Sequence, residues 1–269
     1  MNQLKSLARR GLTGAALPVQ TLIGRIVQYS PHPPRFTGAY DSFEDCLAAV
    51  PRDRPSGCDH EAANSLYFER MSQIHLWDYP LIFWLERVLK PGMTVLDTGG
   101  NLATKYQAFG RLLDLTRITW VIHDLPAVVR RGRALQAEGR LPAAVRFVED
   151  PADCGAPDVL IASGLLQYLD RPFGELLGRL SQRPATVLLN KVAMREGPEV
   201  VTLERAGELR IPYRIRDRMQ FMRELEALGL RVLDQWVIPD LSHRIATHPA
   251  LGASTSLGFA LTSDPPKAV

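Results

Sequence analysis

From Lys90 onward the chain alternates short β-branched or aliphatic runs with stretches whose apolar residues recur at helical spacing. No other feature constrains the fold as strongly. Candidate strands are 93–97, 117–123, 144–149, 158–163 and 185–191, and the intervening pattern predicts helices near 105–114, 126–138 and 172–182. Strand–helix units at this spacing build a parallel sheet covered on both faces. After the fifth strand, Glu199 to Ile215 reads as a β-hairpin turning at Ala206-Gly207. Arg218 to Leu228 reads as an amphipathic helix ended by Gly229, and 231–238 and 254–262 as closing strands. The expectation is an α/β, Rossmann-like seven-stranded sheet. Its last strand, ending near Thr262, should run antiparallel and insert between strands five and six.

Ahead of Lys90 the pattern is helical, which divides the chain into an N-terminal extension and substrate cover, 1–89, and a ligand-binding domain, 90–269. Between Gln3 and Gln28, Leu4, Leu7, Leu12, Leu17, Leu22, Ile23 and Ile26 lie among Lys5, Arg9, Arg10 and Arg25. This is a broken basic amphipathic helix that packs on the main domain or on a second subunit, with peripheral membrane contact as the alternative. The prolines of Ser30 to Phe36 predict a stiff linker. A short helix over 41–50 follows, capped by Asp41 or Ser42, then a loop over 51–59 and two helices between His60 and Leu89. Trp77, Phe83 and Trp84 recur with Leu81 and Leu85 as core packing or, alternatively, as an aromatic wall facing a substrate.

Composition narrows the function classes. With 46% hydrophobic residues the 269-residue chain can build a core, which excludes global disorder. Net charge is only +3, from 32 basic and 29 acidic residues, so no nucleic-acid partner is expected. Cys46, Cys58 and Cys154 lack CxxC spacing and the histidines are scattered, so the thiols read as reduced and no metal site is expected. No apolar run reaches the roughly 18–20 residues of a membrane span. The N-terminus lacks a convincing cleavage site, so a cytoplasmic location is expected.

The chemistry concentrates in VLDTGGNLATKY, Val95 to Tyr106. In open α/β sheets ligands bind beyond the carboxyl ends of the strands. Asp97 and Thr98 end a strand there, and Gly99 and Gly100 allow positive φ and close backbone approach. A carboxylate at this point repels a pyrophosphate and suits a cationic amine, which S-adenosylmethionine carries beside its sulfonium. Asp124, with Leu125, closes the next strand where ribose hydroxyls would lie. Asp150 closes the third, near the adenine amino group, although Glu149 or Asp153 would serve as well. Asn101 and Leu102 offer amides to the cofactor carboxylate, and Ser163 and Gly164 lie beside the methyl donor. The structural alternatives are a capped βα turn at Asp97 and Gly99, an N-cap before Pro126 at Asp124, a plain loop at Asp150, helix initiation at Asn101 and Leu102, and a small-residue turn at Ser163 and Gly164.

At these residues the sequence resembles class I methyltransferases that use S-adenosylmethionine. VLDTGG looks like their first motif, with Asn101 and Ala103 where the second and third glycines usually stand. DLPAVV followed by VRFVED is similar to small-molecule O-methyltransferases. FTGAYDSFEDCL, SGLLQYLDRP and IPYRIRDRMQFMRELEALGLRVLDQW resemble a bacterial methyltransferase family with no defined acceptor. The resemblance implies methyl transfer to oxygen, less readily nitrogen, of a small molecule, and a homodimer is compatible with it. A methyltransferase-fold scaffold without catalysis is the alternative, since Asn101, Ala103 and Gln167 depart from the pattern. Base methylation is disfavoured by the lack of an Asn/Asp-Pro-Pro-aromatic run, and a nicotinamide enzyme by the lack of GxGxxG.

On the acceptor side, Gln167 and Tyr168 occupy the place where plant-type O-methyltransferases carry a catalytic His. Gln167 can hydrogen-bond a substrate but takes no proton at neutral pH. Gln167, Tyr168, Lys191 and His243 are therefore expected in one cavity beyond strands four and five, with His243 as the base if one is needed and His75 as a further lid histidine.

Overall fold

The computed structural model describes residues 16–50 and 73–263. The basic segment ahead of residue 16, the loop expected over 51–59, Cys58 and most of the first helix expected after His60 lie outside the described residues. Helix α1 covers residues 16–27, strand β1 Phe36–Tyr40 and helix α2 Phe43–Ala48. The cap of α2 is Ser42, whose Oγ accepts the amide of Asp45 at 3.0 Å. A 3-10 turn, Leu76–Asp78, leads into α3, Tyr79–Val88.

The parallel strands are β2 (Thr94–Thr98), β3 (Thr119–His123), β4 (Val145–Val148), β5 (Val159–Ser163) and β6 (Thr186–Arg195). Helices α4 (Thr104–Phe109), α5 (Pro126–Ala137) and α6 (Phe173–Gly178) connect them. There follow β7 (Val200–Ala206), β8 (Leu209–Asp217), α7 (Arg218–Ala227), β9 (Leu230–Ile238) and β10 (Thr255–Ser263). Strand order runs β4-β3-β2-β5-β6, and β10 then pairs antiparallel with both β6 and β9. That is the expected Rossmann-like sheet, with its antiparallel strand inserted where the sequence placed it.

Residues alternate between two cores. Val95, Trp120, Ile122 and Ile161 face Leu81, Leu85, Phe109 and Val129 of α3, α4 and α5. Leu96, Val121, Leu160 and Leu189 face Phe173, Leu177, Phe221 and Leu225 of α6 and α7. This period-two division of buried residues fixes the register, because a one-residue slip would exchange the faces.

The seven expected strands are β2 to β6, β9 and β10; β1, β7 and β8 add to them, so the connected sheet has ten among the described residues. Strand β1 lies within the N-terminal extension, whose other described elements are helical. Beyond the predicted linker, β1 pairs antiparallel with β7, Phe36 opposite Glu204. The hairpin β7–β8, turning after Ala206 where Gly207 takes φ 61°, joins the main sheet through two residue pairs, Met194 with Arg216 and Arg195 with Asp217. Met194 also pairs with Thr255 of β10, so β8 takes the other edge of β6, past the end of β5. The small sheet β1-β7-β8 therefore stands at the carboxyl ends of the parallel strands. No helix among the described residues is long and apolar enough to cross a membrane.

Candidate active site

The turn after β2 is built by close approach. The amide of Gly99, at φ 71°, donates to the carbonyl of His123 at 2.8 Å, and a Cβ there would lie 3.0 Å from Leu165 Cδ1. A Cβ on Gly100 would come within 2.7 Å of Asp97 Cγ and 2.8 Å of Ile122 Cδ1. Asn101 (φ 53°) and Ala103 (φ 58°) keep left-handed backbone at the positions that resemble motif glycines. The loop thus has glycine-type geometry without those glycines, at a cost of roughly 1–2 kcal/mol per residue. Strain of this kind collects at functional sites.

Asp124 fastens the loop to the next strand. Its Oδ2 accepts the amide of Asn101 and its Oδ1 that of Leu125, each at 2.8 Å. Each oxygen retains a lone pair for a further donor. Burial raises the Asp124 pKa, and the two amides work against that shift.

Asp97 is placed differently from the expectation. It is 1% exposed, its Oδ2 accepts Trp120 Nε1 at 3.3 Å, and Gly100 lies against its carboxylate. Burial pushes its pKa up to about 7, against the Trp120 hydrogen bond and the positive charge of Lys105. A carboxylate beneath the loop, with Oδ2 held by Trp120, supports the backbone that would meet a ligand. Asp150 is tied down locally. Its Oδ1 caps the 3-10 turn Pro151–Cys154 through the amide of Ala152, and its Oδ2 is 2.9 Å from Arg179. Like those of Asp124, each oxygen keeps an acceptor site beyond the donor it already has.

Midway along β6, level with the end of β5, two residues, Asn190 and Lys191, bulge opposite Gly258 of β10, and Lys191 takes φ 61°. Bulges beside active sites re-aim side chains. The buried Asn190 amide donates to the Trp77 carbonyl and accepts from Trp236 Nε1, each at 3.0 Å. A Cβ on Gly164 would lie 3.4 Å from Lys191 Nζ and 3.7 Å from Gln167 Nε2, so these head groups converge over Gly164. Burial, then repulsion from Lys105, lowers the Lys191 pKa to about 8, while Asp78 and Asp97 oppose the shift. Thr98 Oγ1, Ser163 Oγ and Gln167 Oε1 are buried without a protein partner; Thr98 and Ser163 end the adjacent strands β2 and β5, and Gln167 lies in the 3-10 turn that follows β5.

The other two acceptor-side residues, Tyr168 and His243, engage a different set of side chains. Tyr168 donates from its hydroxyl to Glu204 Oε2 at 2.8 Å. Burial and the neighbouring Glu204 carboxylate hold its pKa well above 10, so it is no phenolate base. Arg35 pairs with the buried Glu204 Oε1 through Nε at 2.8 Å and Nη2 at 2.6 Å. The His243 ring packs 4.7 Å from Phe36 and 6.1 Å from Tyr213. Burial and Arg35 lower its pKa to about 4, which makes it a poor proton acceptor at neutral pH. His75 stacks on Trp77 at 4.5 Å.

Sequence reasoning missed the ion pair Lys105–Asp78 at 2.7 Å, whose side chains are 4% and 0% exposed. The signal was present, because Lys105 shares the buried α4 stripe with Ala108 and Phe109. A charge on such a stripe needs a partner. Asn190 and Glu204 were missed as well. Glu204 sits in an alternating strand that reads as solvated, and only β1 and Tyr168 reveal its burial.

No protein-family model matches the chain, and no curated protein matches it. Among solved structures, a Burkholderia thailandensis 1,6-didemethyltoxoflavin-N1-methyltransferase with bound S-adenosylhomocysteine is 20% identical. The match covers 70% of this chain and 79% of that one, with a TM-score of 0.45. The N-terminal domain of EvdMO1, in the presence of S-adenosylhomocysteine and D-fucose, is 16% identical over 70% of this chain and 83% of that one, with a TM-score of 0.48. The glycopeptide N-methyltransferase MtfA with S-adenosylhomocysteine is 16% identical over 76% of this chain and 98% of that one, with a TM-score of 0.46. At these values no substrate transfers from those proteins to this chain.

Proposed function

We propose that the protein is an S-adenosylmethionine-dependent methyltransferase acting on oxygen, or less readily nitrogen, of a small molecule. The observation that carries this reading is the set of unpartnered buried atoms Thr98 Oγ1 and Ser163 Oγ at neighbouring strand ends and Gln167 Oε1 in the turn after β5, beside the strained loop that Asp124 fastens. Buried polar atoms without partners are rare unless a ligand or water completes them. When bound, the cofactor supplies an electrophilic methyl group. Asp124 and Leu125 would hold its ribose, and Thr98, Gly99, Ser163 and Gly164 would line the approach to the methyl. The amides of Asn101 and Leu102, expected to meet its carboxylate, already donate to Asp124 Oδ2 and Asn101 Oδ1. Asp97 and Gly100 act beneath them by setting the loop.

On the acceptor side Gln167 orients the substrate and Lys191 Nζ accepts its proton. A lysine with a pKa near 8 carries a useful neutral fraction at physiological pH. His243, with its pKa near 4, is set aside from that role. Production of S-adenosylhomocysteine against a panel of phenols, hydroxy acids and amines tests the reading. Turnover should rise with pH through about 8, and Lys191→Met should cut it at least about a hundredfold while cofactor affinity persists. Turnover that survives Lys191→Met unchanged would remove the base. A folded chain that binds no cofactor would favour the scaffold alternative.

A further inference from the structure

Helix α1 turns its apolar face away from the protein. Leu17, Thr21 and Gly24 share the inward face, and Gly24 brings the helix against the loop after β9, where a Cβ would lie 1.9 Å from the Ala246 carbonyl oxygen. On the opposite face Val19, Leu22, Ile23 and Ile26 recur at i, i+3, i+4 and i+7 and are 58%, 61%, 54% and 63% exposed. Tyr29, just past the helix, is 86% exposed. An amphipathic helix of a globular domain ordinarily buries such a stripe. A contiguous exposed one marks a contact surface.

Charge identifies the occupant. Residues 1–40 contain Lys5, Arg9, Arg10, Arg25 and Arg35 and no acidic residue, the first being Asp41. Arg25 is exposed and lies one turn from Leu22 along the edge of the stripe. Basic residues flanking an apolar stripe with a terminal tyrosine match the layering of a bilayer interface, with lipid headgroups outside and acyl chains within. A second copy of the chain fits less well, since stable protein interfaces use roughly 20–30 residues a side and this stripe offers few.

We propose that this face of α1 lies in the headgroup plane of an anionic lipid bilayer. The placement relates it to the candidate site. Both β6 and β9 are antiparallel to β10, so β9 runs parallel to β6 and the loop that seats α1 leaves from the carboxyl edge of the sheet. The stripe and the site of Lys191 and Gln167, level with and just past the end of β5, therefore share one edge of the molecule.

Flotation of the full chain with vesicles of phosphatidylcholine alone, and of phosphatidylcholine mixed with phosphatidylglycerol, tests the proposal. The chain should float with the anionic vesicles and much less with the neutral ones, and high salt should weaken the association. Leu22→Glu combined with Ile26→Glu should reduce the bound fraction about tenfold or more with an unchanged melting temperature, since both positions face solvent. If that double variant fails to fold, Arg25→Glu should lower binding to anionic vesicles alone. No flotation of the wild type would overturn the proposal, as would flotation insensitive to both substitutions. A doubled solution mass that the double variant abolishes would assign the face to a second copy instead.

Discussion

Asp97 shows how a residue recognised for the right position can act by another route. Its carboxylate is capped by Gly100 and held by Trp120, so its energetic weight falls on folding. With its pKa raised from 3.8 to about 7, the folded state binds the proton more tightly than the unfolded chain. The stability it contributes is complete below about pH 4 and is lost as pH rises through about 7. Wild type should therefore lose stability relative to Asp97→Asn across that window, by an amount on the order of a few kcal/mol. Urea unfolding of both proteins at several pH values measures it, and a constant difference would mean the carboxyl group titrates normally. Asp150 carries a simpler lesson. An acidic residue followed by Pro151 is a helix-start pattern, and its capping geometry was readable from the order of residues alone.

At the scale of elements, the bulge on β6 ties Lys191 to a tryptophan on the next strand but one. Gly258 leaves room for the Trp236 indole, whose Cε2 would lie only 2.1 Å from a Cβ there, and Trp236 holds Asn190 beside Lys191. Gly258→Ala should cost about 1–3 kcal/mol and shift the tryptophan emission as the indole moves. An unchanged melting curve and spectrum would show that the bulge is independent of this contact. The core strands were legible because segments buried on both faces, such as Val159–Ser163, are continuous apolar runs between turn residues. Strand β1 was not, because its five residues include Gly38 and Phe36 finds its partner only at Glu204. The left-handed turn at Lys191 was likewise hidden, since it arises from pairing with β10 and leaves no local mark. His243 and Tyr168 are expected to face an acceptor, but their rings and hydroxyl are claimed by Phe36, Tyr213 and Glu204. Side-chain partners of that kind follow from packing and not from spacing.

For the whole molecule, the decisive arrangement is the meeting of three parts at one sheet edge. The parallel strands end there, the small sheet β1-β7-β8 stands beside them, and the loop after β9 carries both His243 and the seat of α1. Arg216 of β8 strengthens that junction by donating to the Leu166 carbonyl at 2.7 Å, next to Gln167. Covers of this sort exclude water from a transfer reaction once a ligand is held. Everything proposed for the edge depends on the cofactor, and isothermal titration calorimetry of S-adenosylmethionine and S-adenosylhomocysteine against wild type and Asp124→Ala addresses it most directly. Both ligands should bind wild type, and loss of the Asp124 acceptor should weaken each by about ten- to a hundredfold. Absence of binding to the folded wild type, or equal affinities for the two proteins, would contradict the assignment of this edge to the cofactor.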